Sequence, residues 1–267
     1  MITAARPFIA LILLGLLAPL GAKEFTVLVF NVENLFDVDG KALYDDYSMP
    51  AQGGRYTPDL LGKKLEFITD TLTTLNDGDG PEVVLFQELE RDQSPESLIP
   101  GVAEFLDQTQ GISLEQMLTD PQWSGLPSYA FLLKAMQEAG LEYPYLAVGG
   151  DPKAPEEQPA HINALVSRYP ILFNESFETT RAREVLVVTL DVEGHPLTLV
   201  NNHWKSGASD PGTEAIRVEN ALTVRRILDF VMERDPRADL VIAGDLNSYY
   251  DQSRLFPGMK TTGINTV

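Results

Sequence analysis

The segment Leu197-Thr198-Leu199-Val200-Asn201-Asn202-His203-Trp204-Lys205-Ser206 changes character halfway along its length. Its first four residues are apolar or β-branched, which is the pattern of a buried β-strand. The residues that follow are mostly polar. Ligand sites in open α/β sheets form at the carboxyl ends of strands. The segment therefore predicts a sheet with a functional edge.

Three other strand-like runs end in the same way, in Asn31-Val32-Glu33-Asn34, in Gln87-Glu88 and in Gly244-Asp245-Leu246-Asn247-Ser248. Strand patterns are predicted at Phe25–Asn31, Val83–Gln87, Tyr145–Val148, Ile162–Ser167, Val185–Val192, Leu197–His203 and Leu240–Ala243. Helical patterns are predicted at Asp59–Leu75, Tyr129–Ala139 and Thr213–Glu233. Strands that alternate with helices, with a hairpin around residues 192–196, indicate an α/β or α+β domain with mixed sheets.

The composition limits the chemistry that this chain can perform. Its 267 residues include 20 Lys and Arg against 39 Asp and Glu, for a net charge of -19, with three His and no Cys. The hydrophobic share of 44% is too high for a predominantly disordered chain. Without Cys, disulfides, thiol catalysis, iron–sulfur clusters and Cys-based zinc sites are excluded. Oxygen-rich sites that suit Mg²⁺, Mn²⁺ or Ca²⁺ remain.

The N-terminus has the layout of a secretory signal peptide. One charge, Arg6, precedes an apolar run over Phe8–Leu20 and the small pair Gly21-Ala22. The run is shorter than the roughly 18 residues of a membrane span. We expect residues 1–22 to be a cleaved signal peptide, with a retained anchor as the alternative. The mature domain is then residues 23–267, secreted or periplasmic, with no stable membrane partner.

The four polar strand ends together carry the groups that metal-assisted hydrolysis of a phosphate ester requires. The carboxylate of Glu88 can hold Mg²⁺, and an aspartate can orient or deprotonate water. His203 and Lys205 can stabilise the charge that develops on phosphoryl oxygens. Each residue alone also fits an ordinary role, as a turn, a helix cap, a structural histidine or a solvated surface group.

The order of the motifs resembles the endonuclease/exonuclease/phosphatase superfamily, the DNase I-like proteins. The motifs that carry the resemblance are FNVENLFD at 30–37, FQELE at 86–90, ALVSRYPI at 164–171, NHWKS at 202–206 and GDLN at 244–247. These motifs are most similar to those of secreted bacterial nuclease-like members. The resemblance implies an α/β/β/α sandwich of two mixed β-sheets flanked by helices, in four layers.

The resemblance also implies a role for each matching residue. Asn31 and Glu88 bind the divalent metal, Mg²⁺ with Mn²⁺ or Ca²⁺ as alternatives. His203 donates to a phosphate oxygen, Asp245 orients and deprotonates the attacking water, and Asn247 helps to position the water and the phosphate.

Three basic residues, Lys205, Arg183 and Arg217, are expected to contact the substrate phosphate. For the two arginines, a structural ion pair is the alternative.

The C-terminus departs from the family pattern. The resemblance implies further sheet strands and an Asp-His pair near the C-terminus, but no histidine follows Asp245. Neither His161, at the start of a predicted strand, nor His195, in the predicted hairpin turn, replaces the pair by motif. We therefore expect the chain to be C-terminally incomplete, to lack its last strands, and to be weakly active or inactive as given.

The leading prediction is a secreted endonuclease that hydrolyses phosphodiester bonds of DNA or RNA. Its negative charge opposes long-range attraction of a polyanion, although Arg181, Arg183, Lys205 and Arg217 could make the site locally positive. Small phosphodiesters, phospholipid head groups and phosphomonoesters therefore remain alternative substrates. A further alternative is a catalytically impaired binding protein of the same fold, with Ca²⁺ at the acidic loops Asp37–Asp46 or Asp77–Glu82.

Overall fold

The computed structural model describes residues 24–41, 56–92, 99–150 and 160–267. The strands of these residues are β1 Val27–Leu35, β2 Val83–Glu90, β3 Tyr145–Val148, β4 His161–Ser167, β5 Ile171–Phe177, β6 Val185–Val192, β7 His195–His203 and β8 Asp239–Asp245. The helices are α1 Pro58–Thr73, α2 Val102–Gln108, α3 Leu114–Thr119, α4 Ser128–Glu138, α5 Pro211–Arg234 and α6 Gln252–Leu255. The predicted signal peptide over residues 1–22 lies outside the described residues.

The strands form two mixed four-stranded sheets. The first has the order β1-β2-β4-β3, with β1 and β2 parallel and the other pairs antiparallel. The second has the order β5-β6-β7-β8, with β7 and β8 parallel. The predicted α/β class with two mixed sheets and flanking helices is confirmed.

Alternation along the central strands decides which residues meet between the sheets. Side chains of a strand point alternately to its two faces. Leu85 of β2 and Leu165 of β4 therefore pack against Leu186 and Val188 of β6 in a core between the sheets. Burial of this apolar surface is the main contribution that holds the two sheets together.

The outer faces of the two sheets are covered by helices. Val84 and Phe86, which alternate with the inner residues of β2, belong to the apolar cluster that includes residues of α1 and α4. On the other sheet, Val187 packs with Val224 and Ile227 of α5. The layers are therefore helix, sheet, sheet, helix. No helix in the described ranges has both the length and the apolar character needed to cross a membrane.

The sequence patterns predicted seven of the eight described strands and the helices α1, α4 and α5 to within a few residues. The bounds of β3 and β6 are those predicted, and the hairpin joins β6 to β7 through Glu193 and Gly194, both at positive φ. Strand β5 was not predicted, because its middle residues are exposed and include Asn174 and Glu175. The segment 91–128 contains α2 and α3 in its described part, and the short helix α6 was not predicted.

Candidate active site

The polar strand ends meet because each sheet contains one parallel pair. Parallel neighbours end at the same sheet edge. Asn31 of β1 lies beside Gln87 of β2, and His203 of β7 lies beside Asp245 of β8. The two sheets face each other, so both edges contribute side chains to one place.

Irregular backbone at the ends of β1 and β2 changes the direction of their side chains. The pairing register shifts between Asn31 and Leu35 in β1, and between Phe86 and Leu89 in β2. Within these bulges Glu33, Asn34 and Glu88 have φ of 52°, 65° and 66°. Left-handed backbone is costly for residues other than glycine and concentrates at functional sites. Bulges of this kind turn a side chain away from the regular alternation.

Four side chains from the two sheets form a compact cluster, which we call the carboxylate cluster: Asn31, Glu88, His203 and Asp245. The amide nitrogen Nδ2 of Asn31 lies 3.0 Å from Glu88 Oε1 and 3.0 Å from Asp245 Oδ2. Nε2 of His203 lies 3.6 Å from the same Glu88 oxygen and 3.8 Å from the same Asp245 oxygen. One amide group and one imidazole therefore face two carboxylates that are far apart in sequence.

His203 is neutral at physiological pH. Burial, together with the positive charge of Arg183 and the neighbouring His161, lowers the pKa of His203 to about 3. Its Nδ1 is buried without a hydrogen-bond partner among the described residues. A proton is stabilised better at Nε2, where it faces the carboxylates of Glu88 and Asp245. The ring is therefore a neutral hydrogen-bond donor at Nε2.

Asn247 supports the loop that carries Asp245. Its backbone N–H donates to Asp245 Oδ1 at 2.9 Å, and its side-chain amide donates to the carbonyl of Trp204 at 3.1 Å. Asn247 has a φ of 45°. These contacts fix one carboxylate oxygen of Asp245, while Asn31 contacts the other. Both oxygens of Asp245 are therefore held in place.

The three predicted phosphate contacts have different environments. Lys205 is half-buried, and its backbone N–H donates to Asn220 Oδ1. Arg183 is half-buried, and its Nη2 lies 3.2 Å from Nδ1 of His161. Arg217 is fully buried and donates to Glu214 Oε2 at 2.9 and 2.6 Å. Arg217 therefore has the structural ion-pair role, and the prediction that it contacts phosphate is corrected.

His161 belongs to the surroundings of this site, although the sequence analysis gave it no role. Its ring centroid lies 6.5 Å from that of His203. Strand β4 runs antiparallel to β2, so the start of β4 lies at the same sheet edge as the end of β2. The pairing of His161 with Glu90 shows this directly. The signal in the sequence was a histidine at the first residue of a strand, which becomes informative only when the strand direction is known.

The donor set of the carboxylate cluster fits a hard divalent cation. Among the described residues, the ion pairs of Glu88 and of Asp245 involve only His203, which is neutral. Two carboxylates close together, with no ion pair to a charged side chain within 4 Å among the described residues, suit Mg²⁺, which prefers oxygen ligands. Asn31 presents its amide nitrogen to them, because its carbonyl oxygen accepts from the backbone N–H of Glu33 at 2.9 Å. Glu88 would therefore hold the metal directly, with the carboxylate of Asp245 beside it, and Asn31 would ligate the metal through oxygen only after its amide turned.

A second acidic group lies nearby in the fold. Carboxylate oxygens of Asp37, Asp39 and Asp92 lie within 4.8 Å of one another. Asp37 is buried, and its backbone N–H donates to the buried Glu90 at 2.7 Å. Burial, with the neighbouring carboxylates, raises the pKa of Asp37 to about 10. Burial is also the main reason that the pKa of Glu90 is raised to about 8.

Comparison with solved structures gives relatives of low sequence identity. A β-hairpin deletion mutant of beta toxin from Staphylococcus aureus is 17% identical, with 91% of this chain and 73% of the toxin chain covered and a TM-score of 0.51. Sphingomyelinase C from Streptomyces griseocarneus is 18% identical, with 88% and 68% covered and a TM-score of 0.48. Truncated TDP2 from Caenorhabditis elegans is 10% identical, with 70% and 56% covered and a TM-score of 0.43. The chain spans about half the length of the Caenorhabditis elegans TDP2 structures.

Comparison with protein families gives a match over the second half of the chain. No curated protein matches the chain at a significant level. Residues 162–265 match the Endonuclease/Exonuclease/phosphatase family. The matched segment contains both His203 and Asp245. The resemblance seen in the sequence motifs is confirmed: over residues 162–265 the chain is similar to the endonuclease/exonuclease/phosphatase family.

Proposed function

We propose that this protein is a phosphoesterase that hydrolyses phosphodiester bonds with the help of a divalent metal ion. The observation that carries the proposal is the carboxylate cluster. Asn31 bridges Glu88 and Asp245 at 3.0 Å each, and His203 lies against the same two oxygens. The irregular backbone at both bulges holds these side chains in place, although left-handed backbone costs conformational free energy. Strained backbone of this kind is typical of functional sites.

Each residue of the cluster has a chemical task in this proposal. A divalent cation at Glu88 would polarise the phosphoryl oxygens and favour the ionised form of water. Asp245 accepts the proton of the attacking water, since both of its oxygens are fixed by Asn31 and by the backbone of Asn247. His203, neutral and protonated at Nε2, donates to a phosphoryl oxygen as negative charge develops there.

A nucleic acid is the leading substrate, and a small phosphodiester is the alternative. The motifs favour a nuclease. The net charge of -19 opposes the binding of a long polyanion, and the burial of Arg217 removes one of the expected basic contacts. The cations left to contact phosphate are Arg183 and Lys205. A phospholipid head group, a phosphomonoester and binding without catalysis are further alternatives.

We also propose that the protein acts outside the cytoplasm. The basis is the sequence of residues 1–22, with its single Arg6 and its short apolar run. N-terminal sequencing of protein recovered from the periplasm or the medium would be expected to begin at Lys23. A chain that keeps residues 1–22 and sediments with membranes would support the retained anchor instead.

The proposed activity is tested by nicking of supercoiled plasmid DNA with added Mg²⁺, beside hydrolysis of the chromogenic diester bis(p-nitrophenyl) phosphate. Glu88→Ala and Glu88→Gln are expected to lower the rate at least about 100-fold, and EDTA is expected to abolish it. Glu175→Ala is the matched control, because Glu175 is an exposed carboxylate on β5, away from the cluster.

The pattern of outcomes identifies the substrate class. Nicking that depends on Glu88 and Mg²⁺, and that weakens steeply with salt, supports a nuclease. Hydrolysis of the chromogenic diester alone supports a small-molecule phosphodiesterase. Equal activity of wild type and Glu88→Gln would contradict the proposed site, and a folded protein that hydrolyses neither compound would contradict the proposed activity.

A further inference from the structure

His161 lies between two polar side chains at the edge of the carboxylate cluster. Its Nε2 lies 2.7 Å from Asn34 Oδ1, and its Nδ1 lies 3.2 Å from Nη2 of Arg183. The ring is buried and packs edge-to-face against Phe36, with 5.6 Å between the centroids. His161 therefore connects the bulge of β1 in one sheet to Arg183, two residues before the start of β6 in the other.

The chemistry of arginine determines the tautomer of His161. A guanidinium only donates hydrogen bonds, so Nδ1 of His161 must accept and must carry no proton. The neutral ring then has its proton on Nε2, which donates to Asn34 Oδ1. The short distance to Asn34 agrees with this assignment. Both contacts are satisfied together only by the neutral ring with its proton on Nε2.

The backbone beside Arg183 is fixed independently of its side chain. The carbonyl of Glu184 accepts from Asn163 Nδ2 at 2.8 Å, and the carboxylate of Glu184 pairs with Arg91 at 2.5 Å. These contacts hold the backbone of Glu184 in place. They do not determine the direction of the long Arg183 side chain, which depends on the side chain's own contacts. An arginine side chain that is ordered before the substrate binds loses less conformational entropy on binding.

We infer that His161 is a positioning residue, which holds the guanidinium of Arg183 toward the side of the site where His203 lies, so that Arg183 can bind an anionic phosphoryl oxygen of the substrate. This inference rests on the proposed function. A carboxylate in place of His161 would also orient the guanidinium, but it would neutralise its charge. The neutral imidazole orients Arg183 and does not itself offset the positive charge that the phosphate would meet.

The test compares two substitutions at His161 that differ in one hydrogen-bond acceptor. His161→Phe keeps the packing against Phe36 and removes the acceptor. His161→Asn places an amide oxygen near the former Nδ1 and keeps an acceptor for Arg183. Each variant is made alone and combined with Arg183→Ala, and His195→Asn is the control because His195 is exposed at the start of β7.

The measurements are kcat/KM with bis(p-nitrophenyl) phosphate and the affinity for inorganic phosphate, both at fixed Mg²⁺. We expect His161→Phe to lower both about tenfold and His161→Asn to recover most of the loss. In the Arg183→Ala background, His161→Phe is expected to have little further effect, because His161 acts through Arg183. His195→Asn is expected to match the wild type.

Failure of the inference is distinct from failure of the proposed function. If His161→Phe lowers kcat/KM equally with and without Arg183, or if it leaves phosphate affinity unchanged, the positioning role is overturned. If wild type hydrolyses no phosphodiester, the proposed function fails, and phosphate affinity still decides the inference. ¹⁵N NMR of the His161 ring gives a further check, since a protonated Nδ1 would exclude the contact on which the inference depends.

Discussion

Arg217 donates through Nε and Nη2 to a single carboxylate oxygen of Glu214, at 2.9 and 2.6 Å, and both side chains are buried. The other oxygen of Glu214 accepts from the backbone N–H of Gly263 at 2.8 Å. Nη1 of Arg217 donates to the backbone carbonyl of Lys205 at 3.2 Å. The pair therefore connects α5 to the segment after the His203 strand and to the C-terminal segment.

Arg217→Met is expected to lower the free energy of unfolding by about 3 to 5 kcal/mol, because it leaves the carboxylate of Glu214 buried without its partner. Urea denaturation measures this loss. Arg225→Met is the control, since Arg225 is exposed and its pair with Asp229 is worth less than about 1 kcal/mol. Equal denaturation midpoints for the two variants would contradict the structural role of Arg217.

Glu88→Gly is expected to be more stable than Glu88→Ala by about 1 kcal/mol, although both lose activity. The backbone of Glu88 has a φ of 66°, which costs about 1 to 2 kcal/mol for a residue with a Cβ and little for glycine. Thermal unfolding of the two variants measures the difference. Glu66 in α1 provides the opposite control, since Glu66→Gly should be less stable than Glu66→Ala. A Glu88→Gly protein less stable than Glu88→Ala would show that the bulge is not strained.

Gly244→Ala is expected to destabilise the protein much more than Gly78→Ala. Both glycines have positive φ, 124° and 103°, so both substitutions introduce backbone strain. At Gly244 a methyl group would also overlap the backbone of Asn202 in the neighbouring strand, whereas no atom lies within 4 Å of a methyl group at Gly78. Chemical denaturation of both variants measures the loss of unfolding free energy. Similar losses for the two variants would show that the backbones of β7 and β8 can move apart to accommodate the methyl group. Loss of activity should accompany Gly244→Ala, because Asp245 is the next residue.

The contribution of Glu90 to the free energy of unfolding is expected to fall as the pH rises from about 5 to about 8. Burial raises the pKa of Glu90 from 4.5 to about 8, so the unfolded chain releases this proton first. The stabilisation that Glu90 contributes is fully present below about pH 4.5 and is lost as the pH rises through about 8. The free energy of unfolding changes by up to about 1.4 kcal/mol per pH unit for this group. Asp37, with a pKa raised to about 10, acts in the same direction.

Glu90→Gln is expected to reduce this pH dependence, because the neutral amide cannot lose a proton. Unfolding at pH 5 and pH 8 in the presence of EDTA measures the change without contributions from bound cations. Glu142→Gln is the control, because Glu142 is exposed and should keep the wild-type pH dependence. An unchanged slope in Glu90→Gln would contradict the assignment of the effect to Glu90.

Much of the fold follows from local sequence patterns. The bounds of β3 and β6 are those predicted, and the turn at Glu193-Gly194 lies in the predicted hairpin. Alternating or continuous apolar residues identify buried strands because burial depends on side-chain periodicity. Strand β5 escaped prediction because its exposed residues interrupt that pattern.

The site required both kinds of information. The sequence alone determined the fold class, the resemblance to the endonuclease/exonuclease/phosphatase superfamily and which strand ends carry polar residues, because these depend on residue type and order along the chain. Only the tertiary structure showed that Arg217 forms a buried ion pair with Glu214. It also showed that Asn31 faces the carboxylates through its amide nitrogen and that His161 contacts Arg183. Strand direction and sheet packing decide such contacts, and neither is a property of any single stretch of sequence.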